Sequence, residues 1–295
     1  IGGGSVGASV IYHLAELGWT DCVLLEKNEL TSGSTWHAAG NCPNYVGSWT
    51  MMKIQSYSTS LYRKLGELVD YPMNYHVTGA IRLAHSRERM EEFRHVELMG
   101  RQMGVEFTEM SNEEMRDIYP FLKTHDLHGG QWDPLDGDID PAQLTQALAK
   151  GARDMGQTIV RFCPVTAVRR ENDEWVLSTP AGEIRCEYVV NAAGYRAAEL
   201  GRMFGRDVPC VSLAHQYLIT EAIPELTARD EKLPLLRDPD SSYYLRQEKD
   251  GLLLGPYEKN CRAHWIDNSD PMPEDFSFQL YNDDLERLEW YIEDA

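Results

Sequence analysis

The first 30 residues, IGGGSVGASVIYHLAELGWTDCVLLEKNEL, constrain the fold more than any other stretch of the sequence. Gly2, Gly4 and Gly7 form a G-x-G-x-x-G turn, a helical pattern follows, and the apolar run CVLLE ends in Glu26. The first glycine permits a tight turn, the second lets the backbone approach a pyrophosphate, and the third lets the helix pack closely on a strand. The helix N-terminus favours the phosphate charge. The stretch therefore predicts a βαβ unit that binds a dinucleotide.

Glu26 lies about 20 residues beyond the glycine turn, where an acidic side chain accepts hydrogen bonds from the adenosine ribose and disfavours a 2′-phosphate. Only Ile1 precedes the glycines, whereas a strand of about five residues is expected at that position. We therefore expect the sequence to begin inside a domain. It also stops within the helix-like segment FQLYNDDLERLEWYIEDA, so we expect the second domain to be incomplete at its C-terminus.

The charge balance limits the partners of this protein. With 28 basic and 47 acidic residues the formal net charge is −19. Such a surface repels a phosphate backbone or an anionic membrane, so we expect neither nucleic acid nor a membrane as partner. The six cysteines form neither a C-x-x-C pair nor a zinc-finger pattern, which predicts reduced thiols and no metal. We expect a cytoplasmic protein, or a mitochondrial-matrix protein if the source is eukaryotic.

The order of helical and strand patterns predicts an α/β fold with two interleaved domains. HVTGAIRLAHS alternates like a strand, PAQLTQALAKGARDMG reads as a helix, and YVVNAAG follows a β-meander as a buried strand. We expect a Rossmann-like nucleotide-binding domain at residues 1–78 and 139–212. The second domain, of α+β type and built on an antiparallel sheet, is expected at residues 79–138 and 213–295.

The segment WDPLDGDID carries four carboxylates in a short stretch. Calcium sites can be acidic loops, but this one lacks the twelve-residue loop pattern and its bidentate glutamate. We therefore interpret it as a turn with solvated acids and no metal.

Taken together, the βαβ unit, the β-meander and the NAAG segment resemble the glutathione-reductase-type FAD fold. More narrowly, they resemble the glycine-oxidase/D-amino-acid-oxidase superfamily. Within it, the chain resembles the dimethylglycine and sarcosine dehydrogenases through GSTWHAAG, GDIDPAQLTQALAKGAR, VVNAAGYRA, HQYLITE and LPLLRDPDSSYYLRQEKDGLLLGPYE. These stretches run across nearly the whole chain. The resemblance implies that the first domain binds FAD and that the second domain binds the substrate.

The same resemblance implies a reaction. A small N-methylated glycine, dimethylglycine or sarcosine, loses a hydride from its N-methyl carbon to flavin N5 and becomes an iminium. Electrons then pass to an electron-transfer flavoprotein or to O2. Members of this family usually carry a further C-terminal region, which binds tetrahydrofolate and takes up the one-carbon unit in the full-length protein.

The resemblance also assigns residues to the flavin. The histidine of T-W-H-A-A-G, here His37, is the residue that the family bonds covalently to the flavin 8α-methyl group. A neutral imidazole is a nucleophile near physiological pH, and the small neighbours leave room for a flat ring. Val165 is expected on a strand that contacts adenine through its backbone. The other residues assigned to the cofactor are Ser34, Gly40, Ala193 and Gly194.

His215 and Tyr244 are the candidates for the catalytic side of the site, because they lie in HQY and SYYLR on strands that the family places over the flavin. Such residues can orient the amine and keep it unprotonated before hydride transfer. Tyr243 and Tyr244 point to opposite faces of their strand, so we expect only one of them to face the flavin.

Two alternatives stay open at this point. One is a deaminating glycine or amino-acid oxidase of the same superfamily, and the other is a non-catalytic flavoprotein regulatory subunit.

Overall fold

The computed structural model describes residues 1–266 and 269–295. Along this part of the chain the helices are α1 (Ser5–Glu16), α2 (Ser34–His37), α3 (Trp49–Leu68), α4 (Arg87–Gln102), α5 (Asn112–Ile118), α6 (Pro141–Asp154), α7 (Ala197–Met203), α8 (Pro224–Thr227) and α9 (Glu289–Asp294). Short 3-10 turns precede α7 and α9, at Gly194–Arg196 and Leu285–Leu288.

The strands lie between these helices in many short pieces. They are β1 (Val23–Leu25), β2 (Tyr75–His76), β3 (Ala80–Ala84), β4 (Thr108–Met110), β5 (Gly129–Asp133), β6 (Asp138–Ile139), β7 (Thr158–Val160), β8 (Ala167–Glu171), β9 (Glu174–Thr179), β10 (Gly182–Cys186), β11 (Ser212–Ala214), β12 (Leu218–Ile219), β13 (Leu235–Asp238), β14 (Tyr243–Glu248), β15 (Gly251–Pro256) and β16 (Arg262–His264).

The nucleotide-binding unit is a small parallel arrangement. Strand β1 pairs in parallel with β7, and Gly2 donates to Leu25 O across the other edge of β1. On its far side, Ile1 bonds to Val190 O through its amino group and accepts from Ala192 N. The residues at the start of the chain therefore lie between β1 and the NAAG segment, as a βαβ unit requires.

The interpretation of YVVNAAG as a buried strand is wrong. Residues 187–193 form no strand, and Tyr188 is 78% exposed. Within the described residues, the backbone bonds at Val190 O and Ala192 N both involve Ile1, and two such bonds do not form a ladder.

The core of this unit lies between helices α1, α3 and α6. Helix α6 begins as the sequence predicts, with Pro141 in its first turn and the Asp140 side chain accepting from the backbone N–H of Ala142 and Gln143. The cap fixes where the helix starts, and its apolar face then packs on α1. The buried side chains shared by the three helices include Ala8, Ile11, Tyr12, Leu61, Leu65, Leu144 and Leu148.

We expect Gly7→Ala to weaken this packing. A Cβ at Gly7 would lie 1.8 Å from Gly2 O, so α1 would have to move away from the glycine turn. A loss of roughly 1–3 kcal/mol in the free energy of unfolding is expected, as for other overpacked positions. Urea denaturation measures it. Gly47→Ala is the control, because nothing lies within 4 Å of a Cβ there, and an equal loss in both variants would contradict the prediction.

The second unit is a seven-stranded sheet with the order β12-β15-β14-β13-β3-β5-β4. Its neighbours pair antiparallel except for β13 and β3, which are parallel. Helix α5 packs against the β4–β5 end, and it begins at the capping box of Ser111 and Glu114 that its sequence predicts. A separate three-stranded meander, β8-β9-β10, follows β7. Among the described residues, no helix is long and apolar enough to cross a membrane.

A histidine at the end of β3 ties the sheet to two loops. His85 Nε2 lies 2.8 Å from the buried Asp238 Oδ2, and its Nδ1 lies 3.4 Å from Asp126 Oδ2. Burial by itself lowers the pKa of His85, but the hydrogen bond to Asp238 and the nearby charges of Asp238, Asp126 and Asp240 outweigh it. The net effect raises the pKa above its ordinary 6.5, although Arg89 on α4 neutralises part of the Asp240 charge.

This raised pKa gives a pH-dependent stability. The contribution of His85 is fully present below about pH 6.5, where the unfolded chain is also protonated, and is lost as the pH rises through the higher folded-state pKa. We therefore expect His85→Gln to reduce the free energy of unfolding most at acidic pH and progressively less above pH ~6.5. Urea titrations at several pH values measure this difference. The exposed His95→Gln serves as control, and a pH-independent loss for His85→Gln would contradict the prediction.

Candidate functional site

The glycine turn leaves an open helix N-terminus. Gly2 has a φ of +112°, and a Cβ there would lie 2.3 Å from Ala192 O. Helix α1 begins after Gly4 without a side-chain cap and without an acidic residue in its first turn. The hydroxyl of Thr35 accepts from Ser5 N at 3.0 Å and lines the same opening. A helix end of this kind attracts anions, so it fits the pyrophosphate of a dinucleotide.

The Glu26 carboxylate is fixed beside this turn by backbone hydrogen bonds. Its Oε2 accepts from Gly3 N at 2.5 Å, and its Oε1 accepts from Asn28 N at 2.7 Å. Each carboxylate oxygen has further acceptor capacity. The structure therefore places the acid where the sequence motif predicts it, next to the first turn of α1.

Three of the other residues predicted for the cofactor lie around the glycine turn, whereas Val165 lies elsewhere. Ser34 and Gly194 lie together, with Ser34 Oγ 3.9 Å from a Cβ built on Gly194, and Ala193 lies against Gly2. These positions surround the glycine turn. Val165 was expected on a strand, and this expectation is wrong. It lies in the segment before β8, where it packs with Leu25 and Cys163.

His37 ends the short helix α2 and has carbonyl oxygens near both ring nitrogens. Its Nδ1 lies 2.9 Å from Gly33 O, and its Nε2 lies 2.6 Å from Gln279 O. A neutral imidazole has one N–H and can donate to only one of these oxygens. The ring also stacks on Phe276, with the two planes 3° apart and the centroids separated by 6.0 Å.

A segment from residue 273 to 281, here named the covering segment, lies across the mouth of this site. Phe278 N donates to Ser32 O, and the Tyr195 hydroxyl donates to Phe276 O. At its start, Lys27 donates to Glu274 O and Arg196 donates to Pro273 O. The covering segment therefore contacts the connection after β1, helix α2 and the turn before α7.

His215 was expected on a strand, but it lies in the connection between β11 and β12, because β11 ends at Ala214 and β12 begins only at Leu218. Tyr244 lies on β14 as expected, and both side chains contact Tyr257. The His215 and Tyr257 rings are 5.8 Å apart, and the Tyr257 and Tyr244 rings are 5.9 Å apart. Tyr244 lies over Gly255, where a Cβ would be 2.1 Å from its ring carbon. Burial, followed by the neighbouring Tyr257, raises the pKa of Tyr244 to about 12, so its phenol is protonated at neutral pH.

His215 is held by a buried carboxylate. Its Nδ1 lies 2.5 Å from Glu258 Oε2, and the Glu258 side chain is only 4% exposed whereas that of His215 is 33% exposed. Tyr243, by contrast, belongs to the apolar cluster with Tyr291 on the other face of β14. The expectation that the two adjacent tyrosines serve different faces agrees with these contacts.

The interpretation of WDPLDGDID as a turn with solvated acids is wrong. Asp133 and Asp136 are fully buried and Asp138 is 4% exposed. Asp136 accepts two hydrogen bonds of 3.0 Å from Arg237, and Arg82 lies between Asp133 and Asp136 at 3.7 and 3.5 Å. The acids are buried because β3 and β13, which are far apart in sequence, bring arginines to them.

The last acids of this loop are also paired. Asp138 lies 2.6 Å from Lys232 Nζ, 3.1 Å from His76 Nδ1 and 3.5 Å from Arg246 Nη1, and Asp140 caps α6. Within the described residues, no group of histidine, cysteine or acidic side chains is arranged to hold a metal ion.

The segment WDPLDGDID, here named the acidic loop, connects the residues predicted for the cofactor to those predicted for the substrate. Arg237, which binds Asp136, stands opposite Tyr244 across the β13–β14 pair. At the other end, Gly137 O accepts from Cys42 N, and Ile139 N donates to Gly40 O. A Cβ at Gly40 would lie 2.0 Å from Ile139 O, which explains the glycine at the end of GSTWHAAG.

Sequence reasoning missed Thr35, Tyr257, Glu258 and the arginines of β3 and β13. Thr35 stands inside GSTWHAAG, and Arg237, Tyr257 and Glu258 stand inside LPLLRDPDSSYYLRQEKDGLLLGPYE, so the stretches that carried the resemblance held a signal for these four. No such signal marks Arg82, because its partners lie elsewhere in the sequence.

Comparison with known proteins agrees with this arrangement. The family described as FAD dependent oxidoreductase matches residues 1–294. The solved L-proline dehydrogenase from P. horikoshii shares the fold with a TM-score of 0.80 at 23% identity, over 99% of this chain and 75% of that chain. The chain therefore belongs to the FAD-dependent oxidoreductase family, and the Rossmann-like α/β fold class predicted from its sequence is confirmed.

Curated relatives show which members of this family the chain is similar to. The chain is 42% identical to the mitochondrial dimethylglycine dehydrogenase of Rattus norvegicus over its whole length, which is 35% of that protein. It is 35% identical to the mitochondrial sarcosine dehydrogenase of Homo sapiens, again over its whole length and over 32% of that protein. The chain thus spans about a third of the length of these relatives. The predicted resemblance to both groups is confirmed.

Proposed function

We propose that this chain is the flavin-binding part of an enzyme that oxidatively demethylates an N-methylated glycine, dimethylglycine or sarcosine. The observation that carries the proposal is the pairing of His215 with Glu258, with His215 and Tyr244 both in contact with Tyr257, because it supplies a base and a phenol around one aromatic side chain. The names of the curated relatives support the substrate class.

The protein's own residues would prepare the amine. An N-methylated ammonium must lose its N–H proton before a hydride can leave its methyl carbon, and His215 Nε2 is the acceptor that we assign to that proton. Tyr244, protonated at neutral pH, would donate a hydrogen bond to the substrate carboxylate. The bound FAD supplies the hydride acceptor.

The nucleotide residues would hold the cofactor. The open end of α1, formed by Gly2, Gly4 and Gly7, would bind the pyrophosphate, and Glu26 would accept from the ribose. We propose a covalent bond between His37 and the flavin. Because Nε2 of His37 now lies 2.6 Å from Gln279 O, that bond requires the covering segment to withdraw if Nε2 is the reacting nitrogen.

We propose that residues 1–78 and 139–212 form the FAD-binding domain and that residues 79–138 and 213–295 form the substrate domain. Two separate apolar clusters support this division, one formed by buried residues within 8–69 and 139–152 and the other by buried residues within 81–127 and 226–291. For the full-length protein we propose transfer of the one-carbon unit to tetrahydrofolate, an electron-transfer flavoprotein or O2 as electron acceptor, and a mitochondrial-matrix or cytoplasmic location.

The test is anaerobic mixing of the full-length holoprotein with dimethylglycine, sarcosine and glycine. We expect the first two to bleach the flavin absorbance and to release formaldehyde or methylene-tetrahydrofolate. Release of ammonia from glycine would instead identify a deaminating oxidase. If no amine reduced the flavin, the hypothesis of a non-catalytic flavoprotein regulatory subunit would replace the proposal.

Tyr244→Phe separates the two tyrosines of β14. We expect this variant to lower kcat/KM for dimethylglycine by about 5- to 150-fold, the range for one lost substrate hydrogen bond of about 1–3 kcal/mol. Tyr243→Phe is the matched control, because Tyr243 lies in the apolar cluster on the other face. Equal losses in the two variants would contradict the assigned role of Tyr244.

A further inference from the structure

Glu258 combines deep burial with an incomplete set of partners. Its Oε2 lies 2.5 Å from His215 Nδ1, whereas its Oε1 is buried and has no hydrogen-bond partner within the described residues. Among residues 1–266 and 269–295, His215 is its ion-pair partner. Burying a carboxylate destabilises a fold unless the carboxylate is paired. The pairing with His215 is therefore the reason that we assign to the burial of Glu258.

The pairing determines which nitrogen of His215 carries the proton. An ionised carboxylate can only accept hydrogen bonds, so Nδ1 is the protonated nitrogen and Nε2 keeps its lone pair. Contact with the edge of Tyr257 restricts the orientation of the ring further. His215 remains a third exposed, so Nε2 is the nitrogen open to a ligand.

We propose that Glu258 is a positioning residue that fixes the tautomer and orientation of His215 and stabilises the imidazolium formed during turnover. In the step that it supports, the N–H proton of the methylated ammonium moves to His215 Nε2, and the electron pair of that bond stays on the amine nitrogen. His215 then carries a positive charge next to the Glu258 carboxylate. The inference rests on the proposed amine oxidation and extends it to a residue outside the substrate's reach.

The experiment uses the full-length holoprotein and four variants, Glu258→Gln, Glu258→Leu, His215→Asn and the double variant His215→Asn/Glu258→Gln. The limiting rate of flavin reduction by dimethylglycine is measured anaerobically by stopped flow. We expect Glu258→Gln to slow it by about 10- to 100-fold, the range for an outer partner of a functional histidine. Because Glu258 acts through His215, the double variant is expected to be no slower than His215→Asn alone.

A second measurement does not depend on turnover. Diethylpyrocarbonate modifies an imidazole nitrogen that has a free lone pair, and peptide mass spectrometry follows the reaction at His215 in the absence of substrate. We expect both Glu258 variants to slow modification of His215 by several-fold and to leave His95 unchanged. Glu258→Leu removes the buried charge and keeps an apolar side chain of similar size, so it guards against an effect of unfolding.

Glu16→Gln is the matched control, because Glu16 forms an exposed histidine–glutamate pair with His13 at 4.0 Å. Additive losses in the double variant, or unchanged modification of His215 in both Glu258 variants, would overturn the inference. If no N-methylated amine reduced the wild-type flavin, the proposed function would fail, while the modification of His215 would still decide the role of Glu258 in positioning it.

Discussion

His37→Ala is expected to abolish the flavin fluorescence of the denatured protein completely. On a denaturing gel of the full-length protein, a covalent flavin travels with the polypeptide and a non-covalent flavin does not. The wild-type band should therefore fluoresce and the His37→Ala band should be dark. His125→Ala is the control, because the side chain of His125 is 81% exposed, and its band should remain fluorescent.

The physical basis is the environment of the imidazole. Gly33 O lies 2.9 Å from Nδ1 and can hold the proton there, which leaves the lone pair of Nε2 as the nucleophile. The Gln279 carbonyl now lies beside Nε2, so attachment also depends on movement of the covering segment. A dark wild-type band would refute the covalent bond and would leave the assignment of FAD intact.

Asp136→Asn is expected to reduce the free energy of unfolding by about 3–5 kcal/mol, the usual cost of removing one partner from a buried ion pair. Asp136 is fully buried and receives two hydrogen bonds from Arg237, and Arg82 lies 3.5 Å away. Asparagine keeps the shape of the side chain but leaves the buried Arg82 and the half-buried Arg237 with one carboxylate, that of Asp133.

Urea denaturation measures this loss, and the exposed pair of Arg170 and Asp173 provides the control. Asp173→Asn should not change the stability measurably, because that side chain is fully solvated. The double variant Asp136→Asn/Arg237→Met should lose less than the sum of the two single variants, because the unpaired arginine is removed as well. A loss for Asp136→Asn as small as that for Asp173→Asn would show that the network is not stabilising.

Much of the nucleotide-binding unit could be predicted from the sequence. The glycine turn, helix α1 and the acid Glu26 are specified within the first 30 residues, and α6 is marked by its own cap at Asp140 and Pro141. The antiparallel strands of the second unit also follow from alternation, although β12 is shorter than HQYLITE suggests. These features depend on neighbours in the sequence, which is why a pattern can predict them.

The errors concern strand assignment and burial. Val165 and YVVNAAG have strand-like sequences, yet neither forms a strand. The acids of WDPLDGDID have the composition of a solvated turn, yet three of them are buried. Whether an acid faces water or an arginine depends on strands that pair across the chain, and composition carries no information about that pairing.

The sequence by itself determined the family, the α/β class and the glycine turn at the start of α1, because glycine spacing and helix caps act within a few turns of chain. The tertiary structure decided which groups meet at the site. It brought His215 to Glu258 over a separation of 43 residues and Asp136 to Arg237 over 101. A buried charge has lost its hydration, so it is stable only beside a partner that bonds to it. In these pairs the partner lies far away in the sequence, and only the complete fold brings the two residues together.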